Sequence, residues 1–192
     1  NTLQKFNASS MTLVGSVGTG SSPFYVAVSS DGSYVYVVND LDNTLQKFKS
    51  SDMTLVRSAN TGSRPRSVAV SPDGSYVYVV NFSSNTLQKF NASSMTLVGS
   101  ASTGARPHSI AVSPDGSYVY VVNYNSNTLQ KFNASNMTLA SSVGTGSNPY
   151  SVAISSDGNY VYVINTGSNT LQKFDSSTMT LVGSASTVTD PY

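Results

Sequence analysis

The hexapeptide Asn-Thr-Leu-Gln-Lys-Phe begins at Asn1, Asn43, Asn85, Asn127 and Asn169, at a fixed 42-residue step without insertions. A chain that repeats itself so closely must fold as copies of one unit, each burying its apolar faces against its neighbours. Four periods and part of a fifth fill the 192 residues, so the pattern leaves no room for a linker or a second domain.

Each period holds four short strand-like runs. In the second full copy they are Ser67 to Val70 (A), Tyr76 to Val80 (B), Thr86 to Phe90 (C) and Met95 to Gly99 (D). Their β-branched and aromatic content and short length argue strand rather than helix. Pro72-Asp73-Gly74 separates A from B, with Pro presetting φ and Gly supplying a positive one. Asn81-Phe82-Ser83-Ser84 and Asn91-Ala92-Ser93-Ser94 make the next two connections. Links this short join antiparallel neighbours, because a parallel pair needs a crossover of about a dozen residues. Each period is therefore a four-stranded meander.

Alternate residues of a strand point to opposite faces, and along Tyr76-Val77-Tyr78-Val79-Val80 both faces are apolar. Such a sheet needs cover on both sides, which meanders provide by stacking as blades around an axis. The expected fold is an all-β β-propeller of four complete blades plus an N-terminal half blade, with strand A lining the axis. The blades fall at about residues 1–18 (half), 19–60, 61–102, 103–144 and 145–187 of a single propeller spanning 1–192. Tyr36, Tyr78, Tyr120 and Tyr162 are expected between blades.

Pro72-Asp73-Gly74-Ser75-Tyr76-Val77-Tyr78-Val79-Val80-Asn81 resembles the signature of the YVTN β-propeller repeat family. The match recurs at Asp31 to Asn39, Asp115 to Asn123 and Asp157 to Asn165. It departs at Val38, Val80, Val122 and Ile164, where the family has Thr. The resemblance implies a secreted or surface-layer type of protein, and similar propellers also include lactonases.

Composition removes other classes. A net charge of +1, with no Glu and a tenth of residues charged, offers no nucleic-acid footprint. No apolar run nears the roughly 18 residues of a membrane span, and the absence of Cys excludes disulfides and thiolate metal sites. The single His excludes a multi-His metal centre, and no cofactor is expected. The Asp of each Pro/Ser-Asp-Gly turn reads as a cap on its own turn. Lys5, Lys47, Lys89, Lys131 and Lys173 read as a solvated column on strand C. Sequons stand at Asn7, Asn81, Asn91, Asn133 and Asn136.

Positions that differ between copies gather in two connections. Before strand A the chain reads Ser22-Pro23-Phe24, Arg64-Pro65-Arg66, Arg106-Pro107-His108, Asn148-Pro149-Tyr150 and Asp190-Pro191-Tyr192. The B–C loops read Asp40-Leu41-Asp42, Phe82-Ser83-Ser84, Tyr124-Asn125-Ser126 and Thr166-Gly167-Ser168. In an up-down meander both connections emerge on one face of the disc. Arg64, Arg66, Arg106, His108, Tyr124 and Tyr150 are the candidate ligand-binding residues there. Arg forks and aromatic planes suit an acidic glycan or peptide, with Asp40 and Asp42 as an acidic counterpart on another blade.

His108 reads as a solvated loop residue with no positioned carboxylate, so no catalytic residue is assigned. The expectation is a non-catalytic extracellular or cell-surface module for binding or structure. The alternatives are a lactonase-like hydrolase and an engineered or recently amplified scaffold without a selected ligand. With the A–B pair present four times and the C–D pair five, the N-terminal hairpin keeps an open edge with Leu3, Phe6, Met11 and Leu13. Self-association, most simply as a dimer, or the remainder of a longer repeat array is expected to cover it.

Overall fold

The computed structural model describes residues 1–188 and 191, and these hold eighteen strands and no helix. Asp190 and Tyr192 of the last expected connection lie outside them. A two-stranded hairpin comes first, β1 (Thr2–Phe6) and β2 (Leu13–Gly18). Blade 1 follows as β3 (Pro23–Val28), β4 (Tyr34–Asn39), β5 (Thr44–Lys49) and β6 (Leu55–Asn60). Blade 2 is β7 (Pro65–Val70), β8 (Tyr76–Asn81), β9 (Thr86–Asn91) and β10 (Leu97–Ser102). Blade 3 is β11 (Pro107–Val112), β12 (Tyr118–Asn123), β13 (Thr128–Asn133) and β14 (Leu139–Gly144). Blade 4 is β15 (Pro149–Ile154), β16 (Tyr160–Asn165), β17 (Thr170–Asp175) and β18 (Leu181–Ser186). Every blade is a four-stranded antiparallel meander, and the A strands β3, β7, β11 and β15 contact one another in turn. This is the expected propeller architecture.

Strand D starts later than its sequence pattern implies, at Leu97 rather than Met95. Met95 has φ 58° and its N–H bonds the Asn91 carbonyl at 2.8 Å, so it closes the C–D turn. Its side chain is an anchor buried in the junction between blades 1 and 2.

The core lies between blades, not within one. At the first complete junction Tyr36, Val38 and Leu45 of blade 1 meet Val77, Val79 and Phe90 of blade 2. Periodic equivalents form the next two junctions, around Tyr78 and around Tyr120. Tyr162 is only half-buried, with no following blade against it among the described residues. At the other end Leu3 is half-buried and shares a cleft with Pro23, Tyr25 and Val37 of blade 1, whereas Phe6, Met11 and Leu13 are exposed.

The lysine column is not solvated. Lys47, Lys89 and Lys131 are only 5–7% exposed. Each Nζ sits 3.7–3.9 Å above the ring of Tyr34, Tyr76 or Tyr118. Each also donates, at 2.7 Å, to a backbone carbonyl of the following blade: Ala92, Ala134 and Ser176. Burial lowers the pKa of all three. Strand C thus rivets blade to blade through a buried ammonium group, its charge met by a carbonyl dipole and a ring face.

A second tie holds the loop face. Asn81 Nδ2 donates to Thr86 Oγ1 (3.0 Å) and Gln88 Oε1 (2.9 Å), and Gln88 Oε1 also accepts from Gly62 N. A Cβ on Gly62 would stand 2.9 Å from the Asn81 amide, so only glycine lets the D–A connection pass this closely. The same set recurs in every blade, which explains why Asn and Gln do not vary.

Candidate functional site at the axial mouth

Strand A begins irregularly in every complete blade. Pro107 pairs with Asn123 and Ser109 with Val122, leaving His108 unpaired as the extra residue of a β-bulge. Phe24, Arg66 and Tyr150 are bulged in the same way. A bulge re-aims one side chain out of the sheet, and here four re-aimed residues meet at one end of the axis. The residue before each proline, Ser22, Arg64, Arg106 or Asn148, has a left-handed backbone with φ between 52° and 57°. Such backbone costs on the order of 1–3 kcal/mol. Hydrogen bonds hold it: Arg64 N and Arg106 N each donate at 2.8 Å, to the Asn43 and Asn85 side chains.

His108 is the centre of the cluster. Its ring lies 4.0 Å from that of Tyr150 and 6.1–6.2 Å from those of Phe24, Phe82 and Tyr124. It is 9% exposed, not solvated as the sequence implied. Nδ1 lies 2.9 Å from the Tyr150 carbonyl. A carbonyl only accepts, so Nδ1 carries the hydrogen and Nε2 keeps its lone pair. Burial lowers the imidazole pKa below 6.5, and the nearby Arg66 charge pushes the same way against the bond to Tyr150. The ring is therefore neutral at neutral pH.

The cations are arranged differently from a simple positive patch. Asp40 is 2% exposed and sits between two arginines. Its Oδ2 accepts from Arg64 Nε (3.0 Å) and Nη2 (2.9 Å). Its Oδ1 lies 3.0 Å from Arg66 Nε, an ion pair whose N–H is not aimed for a hydrogen bond. Asp40 thus neutralises part of the expected patch instead of forming an acidic counterpart apart from it. Asp42 caps the neighbouring loop by accepting from Ser21 N at 2.7 Å. Arg66 is fixed with its guanidinium carbon 4.2 Å from the Phe24 ring centre and 4.9 Å from that of Phe82. Arg106 is exposed, 5.3 Å from Phe82, and pairs with no carboxylate among the described residues.

All six sequence-derived candidates thus lie at one mouth: Arg66, His108, Tyr124 and Tyr150 touch the same ring cluster, Arg106 reaches it at Phe82, and Arg64 joins through Asp40. Phe24 and Phe82 complete the cluster as its ring walls, and Asp40 braces it. The sequence signal for Phe24 is its place after an invariant Pro, the position that also carries Arg66 and His108. No group of three or more His, Cys, Asp or Glu that could hold a metal ion occurs among the described residues.

The sequence matches the family "Lactonase, 7-bladed beta-propeller" over residues 3–98, 67–139 and 93–191, which together span nearly the whole chain. The chain belongs to this family. That finding overturns the expectation of a protein with no part in catalysis, since it points to an enzyme-related propeller family. The expectation rested on reading His108 as a solvated loop residue with no positioned carboxylate; the structure instead buries it at a bulge, in a cluster of rings. A search of the curated proteins finds no match. Among solved structures, hydrazine synthase of Kuenenia stuttgartiensis superposes with a TM-score of 0.82 at 24% identity. The superposition covers 88% of this chain and 50% of that one, so this chain spans about half the length of that structure. At that identity the likeness shows the fold alone.

Proposed function

We propose that the axial mouth hydrolyses a lactone or a similar cyclic ester, with His108 as the general base. The observation that carries this reading is a neutral imidazole, its tautomer set by the Tyr150 carbonyl, with Arg66 stacked on two of the rings that touch it. In the step envisaged, water attacks the ester carbonyl carbon and gives its proton to His108 Nε2. The carbonyl electron pair becomes an oxyanion, which a guanidinium stabilises. Collapse breaks the ring C–O bond, and Nε2–H returns the proton to the departing alkoxide. Arg66, pinned by Asp40 and two rings, is the fixed cation for the oxyanion. Arg106, exposed and without a carboxylate partner among the described residues, is the cation left for a polar group of the substrate.

The test is hydrolysis of a panel of γ- and δ-lactones followed by pH-stat. Turnover should fall by about 10²–10⁴-fold in His108→Gln. Wild-type rates equal to buffer across the panel, or a fully active His108→Gln, would refute the reading.

A further inference from the structure

The end of the disc opposite the mouth is made by the A–B and C–D turns. Between blades 2 and 3 these turns border a cleft of about 560 Å³, within the roughly 300–1,000 Å³ of ligand sites. Its floor is closed, since Tyr78, Lys89 and Ala134 are 1%, 7% and 4% exposed. Tyr76 of blade 2 and Tyr118 of blade 3 line it half-buried, and Asp73 and Asp115 line it at exposed positions. Each blade therefore gives one ring and one carboxylate. The matching cleft between blades 1 and 2, bordered by Asp31, Tyr34 and Lys47, holds only about 270 Å³.

The polar atoms of the larger cleft include both acceptors and donors. In each A–B turn a Ser hydroxyl and a backbone N–H donate to Asp Oδ1: Ser71 Oγ and Ser75 N to Asp73, Ser113 Oγ and Ser117 N to Asp115. Oδ2 takes neither bond. Asn133 Oδ1 accepts from Ser135 N at 3.0 Å and from Ser135 Oγ at 2.7 Å, while Nδ2 donates to nothing among the described residues. The phenols of Tyr76 and Tyr118 likewise make no hydrogen bond there. Charge decides the ligand class. An anion would meet two carboxylates. A cation would meet the Lys89 ammonium, and would find Lys89 already 3.8 Å from the Tyr76 ring centre and Lys131 3.9 Å from that of Tyr118. Neutral hydroxyls donate and accept at once and cost far less to desolvate than a charge. We propose that this cleft binds a neutral sugar unit of a glycan. Its hydroxyls donate to Oδ2 of Asp73 and Asp115 and accept from Asn133 Nδ2, and the rings of Tyr76 and Tyr118 cover its C–H groups. The site lies at the far end of the axis from His108, so the inference is independent of the chemistry at the mouth.

Amide chemical-shift mapping tests it, with cellotetraose, maltotetraose and N-acetylchitotetraose as neutral probes. Tetragalacturonate is the anionic probe and the chitosan tetramer the cationic one. At millimolar sugar, at least one neutral probe should move the amides of Gly74, Gly116, Ser117 and Ser135 and leave those of His108 and Tyr150 in place. Tyr118→Phe removes one phenol hydroxyl and keeps the ring beside Lys131, and should weaken that binding about threefold to tenfold. Asp115→Asn keeps a turn-forming side chain but exchanges the carboxylate acceptor for an amide, and should weaken it about tenfold or more. Far-UV circular dichroism checks that both variants fold; Tyr118→Phe stands alone if Asp115→Asn does not. No shift with any neutral probe overturns the proposal, and so do shifts at the mouth instead. Tighter binding of either charged probe, or full affinity in the folded variants, overturns it equally.

Discussion

At the scale of single residues, burial decides what His108 and Lys89 do. His108 has a lowered pKa in the fold and an ordinary one unfolded, so the unfolded chain binds the extra proton. Its contribution is full above about pH 6.5 and declines as pH falls from there toward the folded-state value. Wild type should thus lose stability in mild acid relative to His108→Gln, measured as the difference in urea midpoints at pH 7.5 and pH 5. Any turnover should rise with pH along the same titration, from acid to a plateau near neutrality. Lys89→Met keeps the apolar stem but removes the charged donor to the Ala134 carbonyl, leaving it the long 3.5 Å bond from the Tyr78 hydroxyl, a loss of about 1–3 kcal/mol. Lys49→Met, at an exposed position of the same kind of strand, should stay within about 0.5 kcal/mol. Equal urea midpoints for the two variants would contradict the rivet. Neither role was legible in the sequence. A charge repeated every 42 residues reads as a solvated stripe, and the carbonyl that Lys89 reaches is 45 residues further on. His108 reads as loop because its burial comes from rings on two other A strands and two B–C loops, and from its own bulge.

At the scale of elements, turns and strands were legible because their causes are local. Alternation along Tyr76 to Val80 and the Asp-Gly turns need only neighbouring residues to be understood. In each turn the Asp accepts from a Ser hydroxyl two residues earlier and from the backbone two residues later, as in Ser71 Oγ and Ser75 N to Asp73. Those bonds lower the carboxyl pKa of Asp31, Asp73, Asp115 and Asp157, the first from 3.8 to about 2. The folded state therefore holds its carboxylates more strongly than the unfolded one. This stabilisation is present above about pH 4 and is lost as pH falls through about 2. Carbon-13 titration of the side-chain carboxyls should show the four turn Asp residues titrating below the ordinary range. Strand D was misplaced by two residues because Met95 looks like the start of an apolar strand. Its left-handed backbone belongs to the C–D turn, since the exposed Met11 shares it with φ 53°, while its burial against blade 1 is set by the junction, which no local pattern encodes. The ion pair of Asp40 with Arg64 and Arg66 escaped for the same reason, as it joins a B–C loop to the D–A loop and the strand A bulge of the next blade.

At the scale of the whole molecule, stability is a chain of nearest-neighbour junctions, as in other repeat folds. Blades 2 and 3 are covered on both faces, whereas the first hairpin and blade 4 are covered on one. Tyr78 and Tyr162 occupy the same place in the repeat, yet Tyr78 is 1% exposed and Tyr162 is half-buried. Tyr78→Ala removes a large side chain from a closed junction and should cost about 3–5 kcal/mol. Tyr162→Ala opens no cavity, because water already reaches that face in a single chain, and should cost less than half as much. The same asymmetry governs local opening. Native-state hydrogen exchange at low protein concentration should be slowest for the amides of β8, β9, β12 and β13, and fastest for β1, β2, β17 and β18. Uniform exchange across all blades would show that the protein unfolds only as one unit and that the open faces carry no separate weakness.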